Sequence, residues 1–370
     1  MWQPFYLVIP LQKTYTLQNG YNDRESESVL LCIHMIEYAK IIRIKDRIYY
    51  MKEMSLFHLV ERELHLVERT LFEMIDSAMP VLGDMHRPLL LAGGKRLRPA
   101  LYLLCAYQGQ QDKERFILTA AAIELIHMAS LVHDDVIDAA DIRRNAATAN
   151  ARWGNSAAVL GGDYLFSKAF SLLNSYGTTA AIQILTHSIC YMSEGEIAQL
   201  ISRFNPDQTE ADYFIRIEKK TAGLIAAATV LGAMDSGMDE TDVESLRQYG
   251  YSIGMAFQLA DDLMDMTASV QTAGKPVGSD FKQGILTLPA MYALQHSPQQ
   301  EELRKIILSR HISGNTLQTG MDIIVQSGGM QYTQQRIDFY LQQACSNIPS
   351  CMAPEIRLIF IRICDQIRKP

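Results

Sequence analysis

"IELIHMASLVHDDVIDAADIRR", Ile123–Arg144, ends an apolar run of helical length with four aspartates and two arginines. On a helix, Asp134 and Asp138 stand one turn apart on a shared face, with Asp135 to the side, so three carboxylates crowd a single turn. Like charges at that spacing destabilise a helix, and a solvated acidic surface is a poor explanation when the preceding residues are nearly all apolar. Something cationic is expected opposite them. A lone DDxxD most often marks an exposed acidic face. Here the pattern returns as "DDLMD", Asp261–Asp265, again closing an apolar helical run, and two such copies reverse the odds. Carboxylates without histidine or thiolate partners suit a hard cation. Mg²⁺ in particular takes one or two of them and completes its shell with water and phosphate oxygens. Two clusters on separate helices could hold metal ions from both sides of one diphosphate.

Around these motifs the chain reads as all-α. From Ser55, a candidate N-cap for "SLFHLVERELHLVERTLFEMIDSAM", long segments rich in Ala, Leu, Ile and Met alternate with short breakers such as "LAGG", "NSYGTT" and "TAGKPVGSD". Period-two strands with hairpin turns are absent, and residues 51–370 read as a single domain. Residues 1–50 mix β-branched, aromatic and basic residues with no clean period; they form an N-terminal extension to which we assign neither role nor structure.

The 370 residues are 48% hydrophobic, enough for a sizeable core, and the net charge of -7 offers no basic field for nucleic acid. Six cysteines without CxxC or CxxH spacing read as reduced thiols, hence a cytoplasmic setting. The amino terminus has no signal-peptide pattern and no apolar run reaches membrane-spanning length, so secretion and membrane insertion are disfavoured.

Positive donors for a diphosphate occur in distinctive contexts. "AGGKRLRPAL" sets Lys95, Arg96 and Arg98 between a Gly-Gly breaker and a proline suited to the first turn of a helix. Arg143 and Arg144 follow the first aspartates, either as salt-bridge partners or as bidentate phosphate donors. Lys219 and Lys220 precede the apolar "TAGLIAAATVLGAM", and Lys275 lies in "AGKPVGSD". The GxxxxGK[ST] pattern is absent, which excludes a P-loop ATPase. His127, taken alone, reads as a core histidine.

In this order and spacing, "GGKRLRP", "IELIHMASLVHDDVID", "RR", "GGDYLF", "GEIAQL", "KTAGLIAAA", "GMAFQLADDLMD" and "GKPVGSDFKQGILTLP" resemble the trans-polyprenyl diphosphate synthases from about Ser55 onward. The resemblance implies the isoprenoid synthase bundle of antiparallel helices around a deep central cavity, usually dimeric, adding isopentenyl diphosphate to an allylic diphosphate such as farnesyl diphosphate. It assigns Asp134, Asp135, Asp138, Asp261, Asp262 and Asp265 to Mg²⁺. Lys95, Arg98, His127 and Arg144 match the isopentenyl diphosphate pocket, and Arg143, Lys220, Gln258 and Lys275 match contacts to the allylic diphosphate. Backbone carbonyl and hydroxyl dipoles near Lys220 and Thr221, with Gln258, are expected to stabilise the allylic cation. Charge builds on the departing pyrophosphate, where Mg²⁺, Lys and Arg stabilise it, and no protein nucleophile is required. Ala139 and Asn145 depart from the family's usual Asp and Gly, and Ile285 stands where short-chain members commonly carry lysine.

In the family, product length is set by side chains upstream of the first motif. Ala129 occupies a position that is aromatic in short-chain members; with Ser130 small and Ile126 another turn down, a product beyond twenty carbons is expected. The long-chain branch includes the catalytic component of two-subunit heptaprenyl diphosphate synthases, which works with a small partner subunit, as well as homodimeric octaprenyl and nonaprenyl synthases. A long, poorly soluble product also implies peripheral contact with a membrane. A terpene cyclase would lack the second DDxxD and "GGKRLRP", and a non-catalytic subunit should show eroded aspartates, whereas all six are present.

Overall fold

The computed structural model describes residues 56–76, 79–107, 113–144, 146–267 and 277–368. All of them lie in one compact unit, Leu56–Pro370. The expectations for residues 1–50, Ser55, Asn145 and Lys275 fall outside the described residues.

The elements are helical almost throughout. A 3₁₀ turn, His58–Val60, leads into α1 (Glu61–Ile75), followed by α2 (Pro80–Leu91), α3 (Leu97–Ala106) and α4 (Lys113–Ile137). A two-stranded hairpin, β1 (Ile142–Arg143) and β2 (Ala146–Ala147), precedes α5 (Ala149–Trp153), α6 (Asn155–Tyr176), α7 (Thr179–Ser202) and α8 (Glu210–Ile217). A π-helical turn, Glu218–Ala222, joins α8 to α9 (Gly223–Ser236), and α10 (Glu240–Thr267) follows. The chain ends through α11 (Ser279–Lys282), α12 (Leu288–His296), α13 (Gln300–Leu308), α14 (Gly314–Gln326), α15 (Gly329–Ser346) and α16 (Pro354–Arg368).

Two helices are apolar on nearly every side and therefore sit inside the bundle. In α4 the run from Thr119 to Ile126 is buried throughout, and α4 packs along α6. In α9 the run Leu224–Thr229 is buried, flanked by α3 and α10, while α15 covers the far side of α10. Both aspartate motifs thus ride at the carboxyl ends of long helices whose positions are set by burial of the rest of their length.

Among the described residues the first α-helix begins at Glu61 after a 3₁₀ turn, with no side-chain cap on Val60. Two expectations change. A minimal antiparallel hairpin exists, pairing Ile142 with Ala147 and Arg143 with Ala146. Its two-residue strands carry no readable alternation. The α4 run also reaches membrane-spanning length and hydropathy, contrary to expectation, yet 67% of that apolar window is buried inside the bundle, as in a core helix.

Candidate active site

The first aspartate cluster sits where α4 gives way to the hairpin. Ala139 leaves the helix in the left-handed region, φ 48°, and the hairpin folds Arg143 back so that its Nε donates to Asp135 Oδ1 at 2.7 Å. Asp135 is buried beside it. Asp138 accepts from Arg203 Nη2 at 3.0 Å. Asp134 is half-buried, and burial above all pushes its carboxyl up to about 6. Lys220 opposes that rise, Glu196 and Asp138 add to it, and Arg143 again opposes.

Lys220 comes from the π turn, an irregularity that often marks functional sites. Two glycines let neighbouring helices close on it. A Cβ at Gly195 of α7 would lie 2.9 Å from the Lys220 amide nitrogen, and one at Gly254 of α10 would lie 2.4 Å from Ala222 Cα. The close approach brings Lys220 Nζ within 2.5 Å of Glu196 Oε2. Burial works against the Lys220 charge, but Asp134, Glu196 and Asp138 outweigh it and hold the ammonium above its ordinary value.

The next residue turns to the second motif. Thr221 Oγ1 donates to Gln258 Oε1 at 2.7 Å, and Gln258 Nε2 donates to Asp262 Oδ1 at 2.8 Å. Tyr213 Oη donates to Asp262 Oδ2 at 2.6 Å. Asp262 is only 4% exposed, so burial pushes it up to about 6 even though Tyr213 and Gln258 favour its ionised form. Asp261 faces outward. Asp265 bonds the segment after the motif, its Oδ2 accepting from the Asp280 amide at 3.2 Å and its carbonyl from the Gly278 amide at 2.8 Å.

A basic cluster gathers around His127. Arg96 adopts a left-handed backbone, φ 45° and ψ 38°, and turns its buried guanidinium inward to Glu124 Oε1 at 2.8 Å and the Leu90 carbonyl at 3.1 Å. That anchor shapes the loop and leaves Lys95 exposed. Arg144, φ 49°, lays its guanidinium over Gly94, where a Cβ would lie 3.0 Å from Nη1. His127 stands among these cations: burial first, then Arg98, Arg144, Arg96 and Arg143, push its imidazole well below the usual range. It is neutral at physiological pH and able to donate one N–H and accept at the other nitrogen. Arg98 is half-buried and its Nε is enclosed without a hydrogen-bond partner.

The donor set for a cation is entirely carboxylate. Among the described residues no three acidic, histidine or cysteine side chains converge closely enough to hold a metal by themselves. Asp262 has both oxygens bonded within the protein, and Asp135 and Asp138 each accept from an arginine. Asp134, Asp138 and Asp261 keep accessible surface, a few carboxylates that fit a hard cation sharing its shell with water and phosphate.

The expected chain-length residues divide. Ala129 and Ile126 are both 0% exposed, packed within the bundle. Ser130, one turn before Asp134, is the accessible small residue, its Oγ donating to the His127 carbonyl at 2.8 Å. The motif reading missed Arg203, Tyr213, Glu124 and the Glu196 partner of Lys220. Glu196 lay within the quoted "GEIAQL", but nothing local in the sequence tied it to a lysine in the next motif.

A family model described as Polyprenyl synthetase matches residues 79–323. Heptaprenyl diphosphate synthase component 2 of Geobacillus stearothermophilus is 44% identical over 244 residues, 66% of this chain and 76% of that protein. Octaprenyl diphosphate synthase of Escherichia coli is 33% identical over 281 residues, 76% of this chain and 87% of that one. The crystal structure of polyprenyl synthase from Caulobacter crescentus complexed with calcium and isoprenyl diphosphate superposes with a TM-score of 0.80 at 33% identity, covering 85% of this chain and 97% of that one. With two aspartate motifs joined through the π turn and a family match across most of the bundle, the chain belongs to the polyprenyl synthetase family and is a prenyltransferase.

Proposed function

We propose that this chain is the catalytic subunit of a long-chain trans-polyprenyl diphosphate synthase, making heptaprenyl diphosphate from isopentenyl and farnesyl diphosphates with Mg²⁺ for quinone side chains. One observation carries the reading. Consecutive residues of the π turn face the two motifs, Lys220 lying in the field of Asp134 and Thr221 bonded through Gln258 to Asp262. A diphosphate between the motifs would therefore meet a cation and a polar network at its leaving oxygen.

Mg²⁺ bound to the outward carboxylates would neutralise charge on the departing pyrophosphate. The protein's part follows from its geometry. Lys220, held by Glu196, presents its ammonium to the leaving group. Thr221 has committed its proton to Gln258, so its oxygen has only lone pairs to offer a nearby allylic carbocation. Lys95, Arg98 and Arg144 bind the second diphosphate, and neutral His127 donates to it without adding charge. The allylic C–O bond breaks, the double bond of isopentenyl diphosphate forms the new C–C bond, and a proton leaves to pyrophosphate.

Relatives named as component 2 support a small partner subunit. An octaprenyl relative favours the homodimeric alternative. Either assembly has an apolar surface available, since Leu160 of α6 is 66% exposed and Ile197 and Ile201, one turn apart on α7, are 55% and 80% exposed. The long product favours peripheral membrane contact from a cytoplasmic enzyme. The test incubates the full chain with isopentenyl diphosphate, farnesyl diphosphate and Mg²⁺, with and without a candidate small subunit, and sizes the products. A C35 product supports the reading. Failure to elongate in both conditions overturns it, and a C40 product selects the octaprenyl alternative.

A further inference from the structure

Arg203 lies outside the motifs, at the C-cap of α7, with φ -56° and ψ 135°. The chain then turns through Phe204 in the left-handed region, φ 56°. That turn is pinned from several sides. The Phe204 amide donates to the Gly284 carbonyl at 2.8 Å, and Gln208 Nε2 donates to the Ser202 carbonyl at 2.7 Å. Arg216 ties Gln208 Oε1, at 3.1 Å, to the Leu286 carbonyl, at 2.7 Å. A backbone held this way limits where the Arg203 guanidinium can reach.

The guanidinium makes one end-on bond, Nη2 to Asp138 Oδ1 at 3.0 Å, with both side chains 23% exposed. Its Nε is enclosed and has no hydrogen-bond partner among the described residues. A part-buried ion pair near the surface usually serves as a weak contact and leaves no enclosed donor unmet. An unpaired enclosed donor is costly, and structures keep one where a ligand or water completes it. Arginine presents its donors as a fork that matches carboxylate or phosphate oxygens in pairs. The pair with Asp138 uses one prong only. The acceptor that suits the rest of the fork, in a site built around diphosphates, is a phosphate oxygen.

Resting on the metal reading of Asp138 above, we infer that Arg203 is a positioning residue that occupies Asp138 before the metal binds and turns to the allylic diphosphate once the metal takes that carboxylate. A divalent cation on Asp138 repels the neighbouring guanidinium, so the ion pair and the metal compete for the same oxygen. The pinned turn keeps the released guanidinium at the rim of the first aspartate cluster, beside the phosphate oxygens that would complete the metal shell. Arg203 thus opposes metal binding in the absence of diphosphate and favours diphosphate binding in its presence.

These two effects have opposite signs, which a merely structural role would not produce. The experiment uses the full chain with Mn²⁺ as probe, followed by loss of its free-ion electron paramagnetic resonance signal, and with inorganic pyrophosphate. For Arg203→Gln, Mn²⁺ alone should bind about threefold tighter, the scale of a weak near-surface ion pair removed. Pyrophosphate at saturating Mn²⁺ should bind about tenfold weaker, the scale of a charged hydrogen bond lost. Arg203→Lys should retain most of the competition with metal and part of the pyrophosphate affinity. The gain in Mn²⁺ affinity should vanish in an Asp138→Asn background. Unchanged constants, two shifts of the same sign, or a metal gain that persists without the Asp138 carboxylate would each overturn the inference. Absence of Mn²⁺-dependent pyrophosphate binding in the wild-type chain would instead overturn the metal reading, and this inference with it.

Discussion

Replacing Asp134 with asparagine should stabilise the metal-free protein while removing most of its activity. Burial, joined by Glu196 and Asp138 and opposed by Lys220 and Arg143, lifts this carboxyl from 3.8 to about 6. At about 1.36 kcal/mol per pH unit, its ionised form costs the metal-free fold about 3 kcal/mol, with partial exposure reducing the measured figure. The sign follows from proton counting. The unfolded carboxyl loses its proton near 3.8 and the folded one near 6, so the folded state binds more protons between them and stability falls as pH rises through that window. Asparagine keeps the shape without the charge, and Lys220 retains Glu196 at 2.5 Å. Urea unfolding in chelator, followed by circular dichroism, should show a gain on the order of 1–3 kcal/mol at about pH 7.5 that disappears near pH 4. Product formation with Mg²⁺ should fall by orders of magnitude. A loss of stability near neutral pH, or a gain independent of pH, would refute the burial argument. Wild-type turnover would refute the metal assignment.

Further outcomes follow from the same geometry. Arg96→Ala leaves buried Glu124 without the cation at 2.8 Å and should cost about 3–5 kcal/mol in urea unfolding. Tyr213→Phe removes the 2.6 Å donor to Asp262 and should cost about 1–3 kcal/mol. Because that donor favours the ionised carboxylate, the loss should be largest above pH 6 and shrink below it, as paired denaturation curves would show. Gly195→Ala sets a methyl 2.9 Å from the Lys220 amide nitrogen, so it should cost about 1–3 kcal/mol and lower kcat by displacing the π turn.

Much of the site was legible because its motifs are short and local. The two aspartate clusters, "GGKRLRP" and the lysine pair stand out as charge set against apolar helix; in the structure Lys220 lies in the field of Asp134 and Asp138, while Lys219 pairs with Glu194. The individual aspartates differ in ways no motif reveals. Asp134 and Asp262 are both pushed up to about 6, yet Asp134 keeps accessible surface while Asp262 has both oxygens bonded inside the protein. The π turn was not legible either, since "EKKTA" follows no local rule that separates it from an ordinary helical turn. It stands where α7 and α10 close on it at Gly195 and Gly254. Exposure near the motif was not legible for a similar reason: helical spacing places both Ala129 and Ser130 close to the first aspartates, but only packing leaves Ala129 0% exposed and Ser130 with accessible surface.

The all-α class, the helices that end in carboxylates and the kind of ligand those carboxylates suit can be read along the chain, because periodicity and like-charge crowding act within a turn or two. Tertiary structure alone decided which charge meets which. Arg203 reaches Asp138 across 65 residues, and Tyr213 reaches Asp262 across 49. Such pairs form only after the helices are stacked by burial of their apolar faces, and their geometry then sets which carboxylates are committed within the protein and which remain for a ligand.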